Sequence, residues 1–227
     1  AEASKIIQER GWQKPSLVLP LGVNPAQFKK SDQSILRRRL GLNGFTIGFV
    51  GKLEKQKGVT SLIEAIAGLP EPVHLLLIGD GPQKDHIRVE AKKRGISPRV
   101  IMIDSIEHRQ LPLYLNCMDI LVLPSITLPH LKEQFGRVLI EAMSCEVPVI
   151  GSDSGEIPNV IGDGRLIFPE GNRETLRRLI EELVSDPRRR EDLARQGRAR
   201  VLDRYDWSAI AEKQIEVYNR LAPAELT

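Results

Sequence analysis

From Leu17 onward the chain alternates short, nearly continuous apolar runs with longer stretches of helical periodicity. The apolar runs are Leu17–Leu19, Thr46–Val50, Val73–Ile78, Val100–Ile103, Ile120–Leu123, Val147–Ile150 and Leu166–Phe168. Runs this short and this uniformly apolar predict parallel strands covered on both faces, because a half-exposed strand would alternate apolar with polar positions. Between them, amphipathic patterns predict helices over 58–68, 83–94, 107–116, 136–145 and 172–185. This alternation specifies an α/β fold: a doubly wound parallel sheet that binds ligands outside the carboxyl ends of its strands.

The two ends break the rhythm. Residues 1–14 read as a helix running into Gly11-Trp12, followed by an extended Pro15–Pro20 segment. Residues 187–222 read as two helices with no strand between them, separated near Tyr205-Asp206-Trp207. Such pieces are poorly placed to bury their apolar positions on one sheet, so part of their surface is expected to face a partner domain.

Composition narrows the classes. With 227 residues, 41% of them hydrophobic, the chain can bury one good core or two small ones. A net charge of +3 is a slight surplus rather than a basic face, so no nucleic-acid partner is expected. Arg37-Arg38-Arg39 and Arg188-Arg189-Arg190 lie in polar, helix-like stretches and read as solvated faces. No apolar stretch approaches bilayer-spanning length, and no signal-peptide pattern is present. Cys117 and Cys145 sit in apolar contexts without paired spacing, as reduced core thiols of a cytoplasmic protein would.

Three loops between strand and helix carry candidate chemistry. Gly51-Lys-Leu-Glu-Lys-Gln-Lys-Gly58 brings Lys52, Lys55 and Lys57 to a helix start, where backbone N–H groups and lysine charge favour phosphate. It is not a Walker A loop, since Val59 follows Gly58, and a solvated lysine-rich loop would look the same. Gly79-Asp-Gly-Pro82 reads as a tight turn into a helix. Beyond the strand ending at Pro124, Glu133-Gln-Phe-Gly136 leads into a helix containing Glu141. Gly136 permits close backbone approach, and the helix start offers N–H groups to ligand oxygens. Carboxylates suit sugar hydroxyls because each oxygen accepts charge-assisted hydrogen bonds. On spacing alone, Glu133 reads equally well as an ordinary first-turn acid and Glu141 as a solvated one.

The ordered set says more than its parts. Gly51-Lys52-Leu53-Glu54-Lys55-Gln56-Lys57-Gly58 matches a Gly-Arg-Leu-x-x-x-Lys-Gly pattern. Pro124-Ser125 and Glu133 to Met143 match Pro-Ser followed by Glu-x-Phe-Gly-x-x-x-x-Glu-Ala-Met. Pro148-Val149-Ile150 and the Ser154–Pro158 loop follow, with Pro20–Asn24, Phe28, Gly79–Pro82 and Tyr205–Trp207 in register around them. In this order, across nearly the whole chain, they resemble the GT4-type retaining glycosyltransferases of the GT-B fold.

The resemblance implies a Rossmann-like C-terminal half of a GT-B enzyme. Residues 15–204 would form the nucleotide-sugar-binding domain, and 1–14 would be a remnant of the preceding helix or linker. Residues 205–227 would form a C-terminal helix packing towards an N-terminal acceptor domain outside this chain. The same resemblance implies catalytic roles for Lys52 and Lys57 on the donor diphosphate and for Glu133 on the donor sugar. Phe135 and Gly136 would lend backbone N–H groups, Arg137, Val138 and Leu139 would line the nucleotide, and Glu141 would take the ribose hydroxyls. Gly51 belongs to the diphosphate loop, and Ser105 and Ile106 fall where the family contacts the base. The implied substrate is a UDP-, GDP- or ADP-linked sugar, with no other cofactor and no metal. Fixed cations beside a departing diphosphate stabilise its growing charge without one. The implied location is cytoplasmic, including the cytoplasmic membrane face, where the full enzyme would associate peripherally.

Some positions depart from the pattern. Lys52 replaces an arginine and loses its two-pronged grip on oxygens. Glu146 stands where the family prefers glycine, and Glu156 and Asn159 differ from its commonest loop. None of His74, His86, His108 and His130 belongs to the family's N-terminal motifs, and they read as strand-end or surface residues. A half-enzyme is expected to bind donor and to transfer sugar weakly or not at all. A standalone nucleotide-sugar-binding module remains an alternative, as does a GT-B epimerase or phosphorylase. The epimerases lack the Glu-x-Phe-Gly pattern, and a phosphorylase needs a pyridoxal lysine context not seen here.

Overall fold

The computed structural model describes residues 7–14, 16–70 and 72–221. Six strands form one sheet: β1 (Phe45–Val50), β2 (Val73–Ile78), β3 (Val100–Ile103), β4 (Ile120–Leu123), β5 (Val149–Ser152) and β6 (Ile167–Phe168). All five pairings are parallel, in the order β3-β2-β1-β4-β5-β6. The order reverses between β1 and β4. Loops leaving those two strands therefore diverge to opposite faces and open a crevice at their carboxyl ends.

The helices cover both faces: α1 (Ser34–Arg39), α2 (Val59–Ala67), α3 (Lys84–Lys93), α4 (Leu111–Leu115), α5 (Arg137–Ser144), α6 (Ile157–Ile161), α7 (Arg173–Ser185), α8 (Pro187–Arg204) and α9 (Trp207–Leu221). The central strands are apolar throughout because helices bury them from both sides: β4 is entirely buried, and Ile47, Leu75, Ile120 and Ile150 have no exposed surface. The β1–β4 junction has its own fastener. Asp119 Oδ2 accepts the Thr46 N–H at 2.8 Å, Thr46 is fully buried, and Arg37 reaches the same oxygen at 3.3 Å. Arg37 also donates to the Cys117 carbonyl at 2.6 Å, and Arg190 to the Val184 carbonyl at 3.1 Å. Arg189 also donates to Glu182 Oε2 at 2.7 Å, so the two basic runs are only partly solvated faces and each contributes structural ties.

Three expectations shift. Leu17–Leu19 forms no strand: Leu17 and Val18 are about half exposed, and among the described residues the run has no sheet neighbour. The predicted strand Val147–Ile150 lies two residues later, because Gly151 and Ser152 pair with β6 while Pro148 contributes only its carbonyl, to Leu121. The loop expected over Ser154–Pro158 gives way at Ile157 to helix α6; Pro158 occupies its first turn and Gly162 closes it. The helix expected over 1–14 falls partly outside the described residues, with 7–9 helical. Residues 222–227 of the expected C-terminal helix lie outside them as well. On α9, Ile210 is buried, whereas Trp207, Ile215 and Tyr218 are more than half exposed. No described helix is long and apolar enough to cross a membrane.

Candidate active site

The lysine loop leaves β1 and turns through a short 3-10 helix, Lys55–Lys57, into α2. Gly58 joins the two at φ 65°, and a Cβ there would lie 1.9 Å from the Pro124 carbonyl oxygen. Only glycine lets the lysine loop lie this close to the end of β4. Ile126 N–H donates to the Gln56 carbonyl at 2.7 Å and completes the junction.

Across it, Lys57 Nζ donates to Glu133 Oε2 at 2.7 Å, and the buried Ser125 Oγ donates to the same oxygen at 2.9 Å. Glu133 is 8% exposed, and its carbonyl accepts the Glu156 N–H at 3.1 Å. Both carboxylate and main chain of Glu133 are therefore held, as a ligand-orienting group must be. Helix α5 begins four residues later, behind Gly136 at φ 75°, and its first N–H groups have no partner within the helix.

Glu141, one turn into α5, is buried at 4% exposure, which removes the solvated reading of this residue. Its Oε1 lies 2.7 Å from His108 Nε2. His108 lines a hollow of about 240 Å³ with Gly51, Lys52, Ser105 and Ile106, beyond the ends of β1, β2 and β3. Its ring also stands 5.2 Å from that of the buried Phe28. The reading of His108 as a plain surface residue missed this pairing. The available signal was its position in the turn that also carries Ser105 and Ile106.

The expected residues thus fall into two connected groups. Gly51, Lys52, Ser105 and Ile106 face the smaller hollow, while Lys57, Glu133 and the start of α5 occupy the crevice. Glu133 and Phe135 also border a groove of about 800 Å³ reaching Leu19, Leu21 and Tyr205. Lys52 extends into solvent at 78% side-chain exposure, near Glu54 at 3.6 Å. Arg137 is exposed and Val138 half-buried, but Leu139 is fully buried and its side chain belongs to the core.

The loop after β4 is clamped at its far end. Thr127 gives both its N–H and its hydroxyl to the Glu170 carboxylate. Burial would raise the Glu170 pKa, but these bonds and the Ser154 hydroxyl outweigh it and hold the carboxyl below its usual range. Among the described residues no group of three or more His, Cys, Asp or Glu is arranged to hold a metal ion.

Comparison with known proteins places this geometry. The alpha-maltose-1-phosphate synthase of Mycolicibacterium smegmatis is 29% identical over 209 residues, 84% of this chain and 52% of its own length. The GDP-mannose-dependent monoacylated alpha-(1-6)-phosphatidylinositol monomannoside mannosyltransferase of Corynebacterium glutamicum is 31% identical over 86% of this chain and 54% of its own. Anabaena Alr3699/HepE, solved in complex with UDP, superposes with a TM-score of 0.87 at 26% identity, over 96% of this chain and 61% of its own. The chain spans about half the length of the curated relatives it matches. Residues 32–200 match the family described as Glycosyl transferases group 1, and the chain belongs to that family.

Proposed function

We propose that this chain is the donor-binding domain of a retaining, metal-independent glycosyltransferase. The enzyme would move a sugar from a nucleotide-diphosphate sugar to a glycan, polysaccharide or lipid-linked acceptor. The observation that carries the reading is the Lys57–Glu133 contact at 2.7 Å, set at the switch point of the sheet beside the start of α5. It puts a fixed cation, a held carboxylate and helix N–H groups around one point.

In this reading Lys57 and the α5 start hold the diphosphate, and Lys52 adds charge from the rim. Breaking the sugar–phosphate bond leaves negative charge on the departing diphosphate, and fixed positive groups stabilise it where it forms. Glu133 orients the sugar through its hydroxyls, and Glu141 receives the ribose. The UDP and UDP-glucose complexes of Anabaena HepE support a nucleotide-sugar ligand. The incoming hydroxyl attacks on the leaving-group face and retains the anomeric configuration. The acceptor belongs to an N-terminal domain of the whole protein, towards which the exposed face of α9 would turn. This chain alone then binds donor and transfers sugar weakly or not at all. The reading places the enzyme in the cytoplasm, at the membrane face if its acceptor is a lipid.

Isothermal titration of this chain with UDP, GDP and ADP tests the reading. One of the three is expected to saturate the wild type, and Lys57→Ala and Glu141→Ala are each expected to weaken it roughly tenfold. Unchanged affinity in both variants would remove the residue assignments.

A further inference from the structure

The family pattern accounts for Glu141 but not for the imidazole held against it. We propose that His108 is a positioning residue for the nucleotide's ribose. It fixes the Glu141 carboxylate through Oε1, so that the remaining lone pairs face the ribose hydroxyls. The inference rests on the nucleotide-sugar reading and deepens it.

Glu141 is a carboxylate at 4% exposure on the inner side of α5, and buried polar atoms require hydrogen-bond partners. His108 Nε2 stands 2.7 Å from Oε1, within range of a charge-assisted bond. The same imidazole keeps 58% of its side-chain surface exposed and forms part of the wall shared by Lys52, Ser105 and Ile106. One ring therefore touches both the buried carboxylate and the hollow that a nucleoside would enter.

The ring is itself constrained. Phe28, 1% exposed, packs against it with the two planes inclined by 47°. The Phe28 carbonyl is held in turn by Ser144 Oγ at 2.6 Å and Arg198 Nη1 at 2.9 Å. A donor backed by such a wall sets the carboxylate plane before any ligand arrives. An ionised carboxylate offers about four acceptor sites, so one bond to His108 leaves room for a vicinal diol. A merely structural His108 would also donate to Glu141, but it would not distinguish a ligand with ribose hydroxyls from one without them.

That difference supplies the test. UDP, GDP and ADP are titrated calorimetrically against this chain, and the tightest is paired with its 2′,3′-dideoxy analogue. For His108→Ala we expect affinity for the ribonucleotide to fall roughly tenfold and that for the dideoxy analogue to change less than about twofold. His108→Gln, whose amide N–H can reach the same oxygen, is expected to restore most of the loss. Equal losses for both ligands, or no loss for either, would overturn the positioning role while leaving the nucleotide site intact. Failure of all three diphosphates to bind the wild type would instead remove the nucleotide reading, and this inference with it.

Discussion

Lys57 and Glu133 neutralise each other across the gap between the ends of β1 and β4, with Nζ 2.7 Å from Oε2. The two groups belong to different strand ends, so their contact is a product of the fold and not of the local chain. A diphosphate that recruits Lys57 must draw it from Glu133 or share it. Glu133→Gln is therefore expected to bind a bare nucleoside diphosphate as tightly as the wild type, or up to about tenfold more tightly. Lys57→Ala should weaken it at least roughly tenfold, and both variants should lower sugar transfer by the whole protein by about 100-fold or more. Calorimetry and a transfer assay read the two effects separately. A Glu133→Gln variant that loses diphosphate affinity would rule out competition for Lys57.

Glu146 is a non-glycine residue in the left-handed region, at φ 59°, two residues past the end of α5. Glycine is free of the Cβ clash that makes this conformation cost about 1–2 kcal/mol for other residues. Against that gain stand the extra freedom of an unfolded glycine, about 0.4–1 kcal/mol. The exposed Lys30 contact at 3.1 Å is also lost, with little effect on stability. Glu146→Gly is expected to stabilise the chain by about 0.5 kcal/mol, read as a higher denaturant midpoint at unchanged slope.

Removing the fastener at the β1–β4 junction should do the opposite. Asp119→Ala leaves the N–H of fully buried Thr46 without its acceptor and Arg37 without its carboxylate. A cost of about 1–3 kcal/mol is expected, with Asp119→Asn milder because its amide oxygen still accepts. Urea denaturation measures both. A neutral Asp119→Ala would mean that the junction relaxes to water.

The two thiols make a pH prediction. Burial pushes Cys117 up to about 11 and Cys145 up to about 12, from an ordinary 9.0. At pH 8 the native thiolate fractions are on the order of one in a thousand or less, so iodoacetamide should label neither until urea is added. The folded state keeps protons that the unfolded chain releases above about pH 9. These thiols therefore contribute full stability below that value, and the contribution fades as pH climbs towards 11 and 12. Rapid labelling of the native chain at pH 8 would show that one of them is accessible.

Much of this was legible in the residues themselves. Five of the seven expected strands form within a residue of their predicted bounds, because helices cover the sheet on both sides and leave uninterrupted apolar runs. Leu17–Leu19 shows the limit of that signal: an apolar run specifies burial but not the neighbour that provides it. Gly58, Gly136 and the lysines could be placed on loops at the correct strand ends. The Lys57–Glu133 and His108–Glu141 pairs could not, since they join residues 76 and 33 positions apart. Whether Glu141 pointed inward or outward depended on α5 lying over β4 and β5, which no local periodicity determines. The left-handed turn at Glu146 was visible only as a departure from glycine, without its geometry.

The parallel bridge between Val23 and Asp206 has a mechanical consequence. Val23 N–H donates to the Tyr205 carbonyl at 2.8 Å, and Trp207 N–H donates back to Val23 at 3.3 Å. The segment before Val23 and the start of α9 therefore run side by side. A pull applied through residues 17–22 and α9 would bear on these two bonds together with the Trp207 ring packed on Gly22 and the buried Ile210. Tension arriving along either segment would thus meet the body at neighbouring points, away from the crevice between β1 and β4.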